Sequence, residues 1–451
     1  MAMARRRLLG TGAAGAAGGL GALLAACRSG AATGAEEAPG PVAAPVALLY
    51  WSQRAPGDRL GNGVKAGLDD YGARNPGRVT IEVGENGAAL AMEKLKAALA
   101  AAVAPDLYGG LFQAQAAELL LIGGVVDLNT ELRADREWAK ARGELSPAVV
   151  EGSSWKGKLP FLPMMLATQL RGFNKQLLAR AGVAPPPWGY TWNDFLEIGR
   201  RTASPPDVVL FHFQYDWSEL GRWLYSNGHR VLTADRTKAR YDAPAAVETL
   251  QFLHEQVTRS GLARGGPLNN QHFDTGASVS ESVNEAAAMQ PPRYPNVDPG
   301  DGSGIYATHY AFGPSHPTKQ LIQSGNAYGL VVVKTADAKK TAAAAQVAAW
   351  SARAEVQTKI ADASGHPPPN TIAARDEQIP RRIRENPILK AVNDVSRSLY
   401  LTPNSPSWTQ GMEVLTANLQ RVLKGDLLPK EALADAQPKI QALLDEDLRR
   451  G

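Results

Sequence analysis

The chain has 451 residues, 44 % of them hydrophobic and 20 % charged, and a formal net charge of +4. That balance is the one expected of a soluble globular protein. Lys and Arg show no concentrated basic patch, which excludes the usual footprint of a nucleic-acid binder.

The chain opens on Arg5-Arg6-Arg7-Leu8-Leu9, an apolar Gly/Ala/Leu stretch from Gly10 to Ala22, and Leu23-Leu24-Ala25-Ala26-Cys27. A basic start, a short apolar run and a small-residue stop make a secretory signal; the run is too short and too glycine-rich to span a bilayer. Leu24-Ala25-Ala26-Cys27 resembles a bacterial lipobox, which implies cleavage before Cys27 and lipid on its thiol. Cys27 is the one cysteine in the sequence, so an exported chain would use it as an anchor rather than in a disulfide or metal site. Arg5-Arg6 ahead of Leu8-Leu9 also resembles a twin-arginine signal; that route and the general secretory route both stay open. Residues 1–26 carry three arginines and no acid, so their removal takes the charge from +4 to +1. Residues 28–45 are mostly small residues and proline and read as a flexible tether.

From Val46 onward about 405 residues remain, which suits two domains. Val46 to Trp51 reads as a buried strand. Val64, Leu68 and Tyr71 share a helical face, stopped by Asn75-Pro76-Gly77. Val79 to Val83 alternates as a strand does. Leu90 to Ala101 is rich in helix formers, Ala104 to Tyr108 is a strand with its loop, and Gln113 to Leu121 is a helix. Strand and helix in alternation predict a parallel α/β sheet.

A second series follows. Leu170 to Phe173 is a strand, and Lys175 to Ala181 a helix closed by Gly182. Thr191 opens a helix as N-cap, with Asp194 at the capping-box position. Asp242-Ala243-Pro244 opens another, with Ala246, Leu250, Leu253 and Val257 on one face. Tyr328 to Val333 is a strand and Ala338 to Ala352 a helix. The stretch from Trp408 is helical with a break at Gly425.

Short stretches in order resemble the extracellular solute-binding proteins (family 1) of bacterial ABC importers. These are Ala104-Pro105-Asp106 with Gly124 to Leu128, Trp155 to Pro163, Gly172-Phe173-Asn174-Lys175, and Ala181-Gly182-Val183 with Thr191 to Phe195. Ala286 to Met289, Tyr328 to Lys334 and Gly425 to Leu433 complete the series. Pro291-Pro292 replaces the small and tryptophan residues that often follow in the family. The resemblance implies a two-lobed periplasmic-binding-protein fold (type II-like), each lobe a parallel-sheet α/β domain, with a hinge crossed more than once. It implies a signal peptide over 1–26, a lipidated Cys27 and tether over 27–45, a first lobe from 46–155 and 326–375, and a second from 156–325 and 376–451. It further implies a monomer without cofactor or chemistry of its own, capturing a small solute, most often a sugar, by hinge closure and delivering it to an ABC permease. Its place would be extracytoplasmic or periplasmic, held to the membrane through Cys27.

Sugar sites need flat apolar faces for ring C–H groups, with amides or carboxylates for hydroxyls. Trp51 follows the first strand at the carboxyl edge, where open α/β sheets bind ligands; Asn86 and Phe112 end the next two strands. With them, Trp155, Asp216, Trp217, Trp223 and Tyr310 complete the candidate ligand set. Gly152 to Lys158 matches a phosphate-loop spacing, but Leu159, Pro160 and Pro163 forbid the helix it needs. The seven histidines form no metal-binding spacing. Three alternatives stay open: a binder of another solute such as a glycerophosphodiester or polyol, an exported carbohydrate-active hydrolase with paired carboxylates, and a surface scaffold that has lost its ligand.

Overall fold

The computed structural model describes residues 45–86, 91–214, 217–266, 276–284, 308–319, 321–396 and 398–450. The signal, Cys27 and the tether lie outside these residues.

The strands are β1 (Val46–Ser52), β2 (Val79–Asn86), β3 (Leu107–Phe112), β4 (Leu162–Asn174), β5 (Val209–Gln214), β6 (Ala263–Gly266), β7 (Ser278–Asn284), β8 (Thr308–Phe312), β9 (Ser324–Val332) and β10 (Tyr400–Leu401). In the first half of the chain the helices are α1 (Arg59–Arg74), α2 (Ala91–Ala100), α3 (Gln113–Leu121), α4 (Leu128–Glu131), α5 (Arg136–Glu144) and α6 (Pro147–Ser153). The middle adds α7 (Lys175–Arg180), α8 (Trp192–Thr202), α9 (Trp217–Ser226) and α10 (Pro244–Thr258). The last are α11 (Ala338–Ser351), α12 (Ala354–Ser364), α13 (Arg381–Arg384), α14 (Pro387–Ser396), α15 (Trp408–Lys424) and α16 (Pro429–Arg450).

Local signals explain most of these bounds. Asp58 accepts from Leu60 N and Gly61 N and starts α1 five residues before the first apolar residue of the predicted stripe. Thr191 and Asp194 cap α8 reciprocally. Gly425 ends α15 at φ 83°, a left-handed conformation that side chains resist. Pro244 begins α10, but Ala243 rather than Asp242 is its cap.

Two lobes share one continuous strand path, β2-β1-β3-β9-β4-β7-β5-β6, with β10 on β9 and β8 on β4. The strand β4 is long enough to serve both. Its start, Leu162 to Thr168, pairs with β9, and its end, Gln169 to Asn174, pairs with β7 and β8. The parallel pairs are β1 with β2 and β3, β5 with β6 and β7, and β10 with β9. The crossing strands β4 and β9 run antiparallel to each other, β9 also to β3, and β4 also to β7 and β8. The sheets are therefore mixed, because strands that carry the chain between lobes enter from the opposite end.

In the first lobe, alternation sends Leu48, Tyr50, Leu330 and Val332 to one face, under α1, α11 and α12, and Tyr108, Val331 and Val333 to the other. A sheet covered on both faces reads as an unbroken apolar run, as Leu330 to Val333 does. The second core gathers Phe173, Phe195, Phe211 and Trp223 with Leu250, Leu415, Val422 and Leu433. Residues 379–401 pack with the first lobe: Ile379, Ile383 and Leu389 against Ala361, and Leu399 and Leu401 in its second face.

Some family-like motifs turn out to be structural. Asp106 is buried, accepts from Leu49 N at 2.8 Å and pairs with Lys340 at 3.4 Å. Asp127 caps α4 and accepts from Leu159 N at 2.8 Å.

Candidate functional site

The carboxyl edge of the first lobe is set by register. Trp51 lies opposite Tyr108, and Ser52 opposite both Gly109 and Asn86. Phe112 faces Tyr328 across the β3–β9 pair. Trp51, Asn86 and Phe112 therefore share one edge, as their places in the sequence imply. The Trp51 indole lies against β2: a Cβ added at Gly84 would come within 2.8 Å of its Nε1. The Lys94 ammonium stands 5.9 Å from the Trp51 ring centroid. Trp51 and Phe112 are both half-buried, the exposure a stacking platform needs.

Two residues at this edge carry no sequence signal. Arg54 follows β1 and folds back over β3. Its backbone N–H donates to Ser52 Oγ at 3.0 Å, its Nε donates to the Gly110 carbonyl at 2.9 Å, and its guanidinium carbon stands 5.2 Å from the Tyr328 centroid. Gly110 has φ +79°, and a Cβ there would come within 2.6 Å of Arg54 Cγ, so this backbone needs glycine twice over. Tyr328 was legible only as part of a strand.

Close behind the edge, the crossings are tied together. Gln113, fully buried at the start of α3, accepts from Ala327 N at 2.9 Å and donates from Nε2 to the Thr402 carbonyl at 3.1 Å. Thr168 on β4 donates to the Ser324 carbonyl at 2.9 Å and accepts from Gln323 Nε2 at 2.8 Å. Two buried side chains thus join the three segments that pass between the lobes, which keeps the polar backbone there satisfied.

In the second lobe the candidates part company. Asp216 lies outside the described residues. Trp217 is the first residue of α9, and Tyr310 on β8 pairs with Gly172 on β4; of their side chains nothing further is described. Trp155 is buried in the second core, so it offers no open face. Trp223 is also a core residue, 1 % exposed, and lines the recess beside Arg171. Spacing alone could not tell an inward from a cleft-facing tryptophan.

Trp223 forms one wall of an aromatic box around Arg171. The guanidinium carbon is 5.2 Å from Phe195, 5.5 Å from Phe211 and 5.4 Å from Trp223. It donates to Glu219 Oε1 at 2.9 Å and to Ser282 Oγ at 2.9 Å. Trp223 Nε1 donates to Glu219 Oε1 at 3.0 Å, and Arg222 meets Oε2 at 3.2 Å. Burial pushes the Glu219 carboxyl up, but Arg171 and Arg222 with the Ser282 and Trp223 bonds outweigh it and hold it below the usual glutamate value. A small recess adjoins this network, lined in part by Arg171, Arg222, Trp223, Ser226 and Gln323.

The profile described as "Bacterial extracellular solute-binding protein" matches residues 66–391. No curated protein sequence matches the chain. Among solved structures, the ABC substrate-binding protein Lmo0181 from Listeria monocytogenes, in complex with cycloalternan, is similar. It shares 20 % identity at a TM-score of 0.71, over 89 % of this chain and 99 % of that one. The cyclic alpha-maltosyl-1,6-maltose binding protein from Arthrobacter globiformis shares 19 % at 0.74, over 89 % and 100 %. The GacH receptor of Streptomyces glaucescens, solved unliganded and with acarbose, shares 17 % at 0.70, over 89 % and 99 %. At such identities the likeness establishes the two-lobed fold.

Proposed function

Because this chain belongs to the bacterial extracellular solute-binding proteins, we propose that it is the extracytoplasmic binding subunit of an ABC importer for a sugar or oligosaccharide. The observation that carries the reading is the first-lobe edge. Phe112 and Tyr328 stand opposite each other with the Arg54 fork over Tyr328, Trp51 lies near the end of the neighbouring strand on the other face, and the crossings that Gln113 and Thr168 tie lie close behind. Aromatic area beside hydrogen-bonding groups is what a sugar ring needs. The related structures bound to cycloalternan and acarbose support the same ligand class.

Capture would take place between the lobes, which close by bending at the crossings, and the closed form would be presented to a membrane permease. The packing of residues 379–401 supports reading them with the first lobe, which would then comprise about 46–161 and 325–401, with about 170–323 and 404–450 in the second. Trp51, Asn86 and Phe112 would contact the ligand from the first lobe, and Asp216, Trp217 and Tyr310 from the second. Cleavage before Cys27 and lipidation of its thiol would tether the monomer to the outer face of the cell membrane. The protein would do no chemistry on what it binds.

A thermal-shift screen of residues 46–451 against mono- and oligosaccharides, polyols and glycerophosphodiesters tests this. A ligand at 100 times its Kd adds about 2.7 kcal/mol to stability. A shift with one sugar class, the sugar recovered intact, supports the reading. A shift with polyols or glycerophosphodiesters alone, or recovery of a cleaved sugar, overturns it.

A further inference from the structure

The Arg54 guanidinium is held on two sides and open on the third. Its Nε is taken by the Gly110 carbonyl and one face lies toward Tyr328. Arg171, Arg222, Arg236 and Arg353 each meet a carboxylate oxygen within 4 Å. Among the described residues Arg54 meets none, and its two Nη groups have no hydrogen-bond partner. The nearest acid in sequence, Asp58, directs its carboxylate to Leu60 N and Gly61 N. Arg54 is half-buried, so water screens its charge only in part. The edge therefore carries a fixed fork over Tyr328, whose register partner is Phe112, with no carboxylate partner among the described residues.

A guanidinium so fixed has lost most of the freedom it would otherwise lose on binding, and the one edge left by its two Nη groups matches the oxygens of an oxyanion. A neutral hydroxyl would use one of those donors and leave the charge unmatched. We propose that Arg54 is the specificity residue of the cleft and that the ligand is an acidic saccharide, one carrying a carboxylate or phosphate that Arg54 receives in bidentate fashion. This rests on the sugar-binding reading above and narrows it.

Isothermal titration on residues 46–451 tests it, with glucuronate and glucose 6-phosphate each set beside glucose, and trigalacturonate beside maltotriose. An acidic probe should bind about tenfold or more tightly than its neutral counterpart, the scale of a charge-assisted pair. Which acidic probe wins distinguishes carboxylate from phosphate. Arg54→Gln should bring that ratio to about one, and Arg54→Lys should keep part of it, with unchanged thermal unfolding showing that both variants fold. A neutral sugar bound as tightly as every acidic one, or a ratio that survives in Arg54→Gln, overturns the inference and leaves the sugar reading standing. No saccharide bound at all overturns both. If Arg54→Gln does not fold, the ratio in the unaltered protein and in Arg54→Lys still decides.

Discussion

Arg171 and Glu219 meet at 2.9 Å in the interior of the second lobe, their side chains 3 % and 1 % exposed. Two charges taken from water gain little over an apolar pair, yet either one left alone is costly. Glu219→Ala should therefore destabilise the protein by about 3–5 kcal/mol. Arg171→Met combined with Glu219→Leu should recover most of that loss. Urea unfolding of the two variants is the check; Glu219→Ala within about 1 kcal/mol of the parent would refute the buried-charge account.

His229 gives a pH dependence. Its Nε2 donates to the Arg240 carbonyl at 2.9 Å. Burial, the largest cause, lowers its pKa from 6.5; the carbonyl bond opposes this and the Arg240 charge adds to it. The folded protein thus binds this proton less readily than the unfolded chain. The contribution to stability is complete above about pH 6.5 and is lost as pH falls below that value. Denaturation midpoints measured from pH 8 to pH 5.5 should fall, and His229→Gln should flatten that limb. An unchanged limb would mean that another group sets it.

Glycines on β9 and α15 should respond to alanine with opposite signs. At Gly329 a Cβ would overlap the Leu162 carbonyl oxygen in the neighbouring strand. Gly329→Ala must push β9 from β4, at a cost of more than about 2 kcal/mol. At Gly411 the nearest atom would be Ile440 Cγ2 at 3.7 Å, ordinary contact. Gly411→Ala should stabilise by about 0.5–1 kcal/mol through helix propensity. Thermal unfolding would show both.

Trp51 should matter more to the ligand than to the fold, because its indole is half-buried against Gly84 at the margin of the core rather than within it. Trp51→Ala should weaken ligand binding by more than about tenfold, or 1.4 kcal/mol, with a small change in melting temperature. Titration of the ligand found in the screen decides this; unchanged affinity would remove Trp51 from the site.

The sequence by itself determined the local pieces. The Thr191–Asp194 cap, the stop at Gly425 and the strand at Val79 are all set within one helical turn or one strand's alternation. Tertiary structure alone decided the rest. Arg54 meets Tyr328 because β9 returns antiparallel beside β3 and brings Tyr328 opposite Phe112. Arg171 meets Glu219, and Trp223 turns inward, because α9 packs over β4 and β5. Capping and periodicity act between neighbours in sequence. Register between distant strands is chosen by the burial of both faces at once, and no local window of sequence contains that choice.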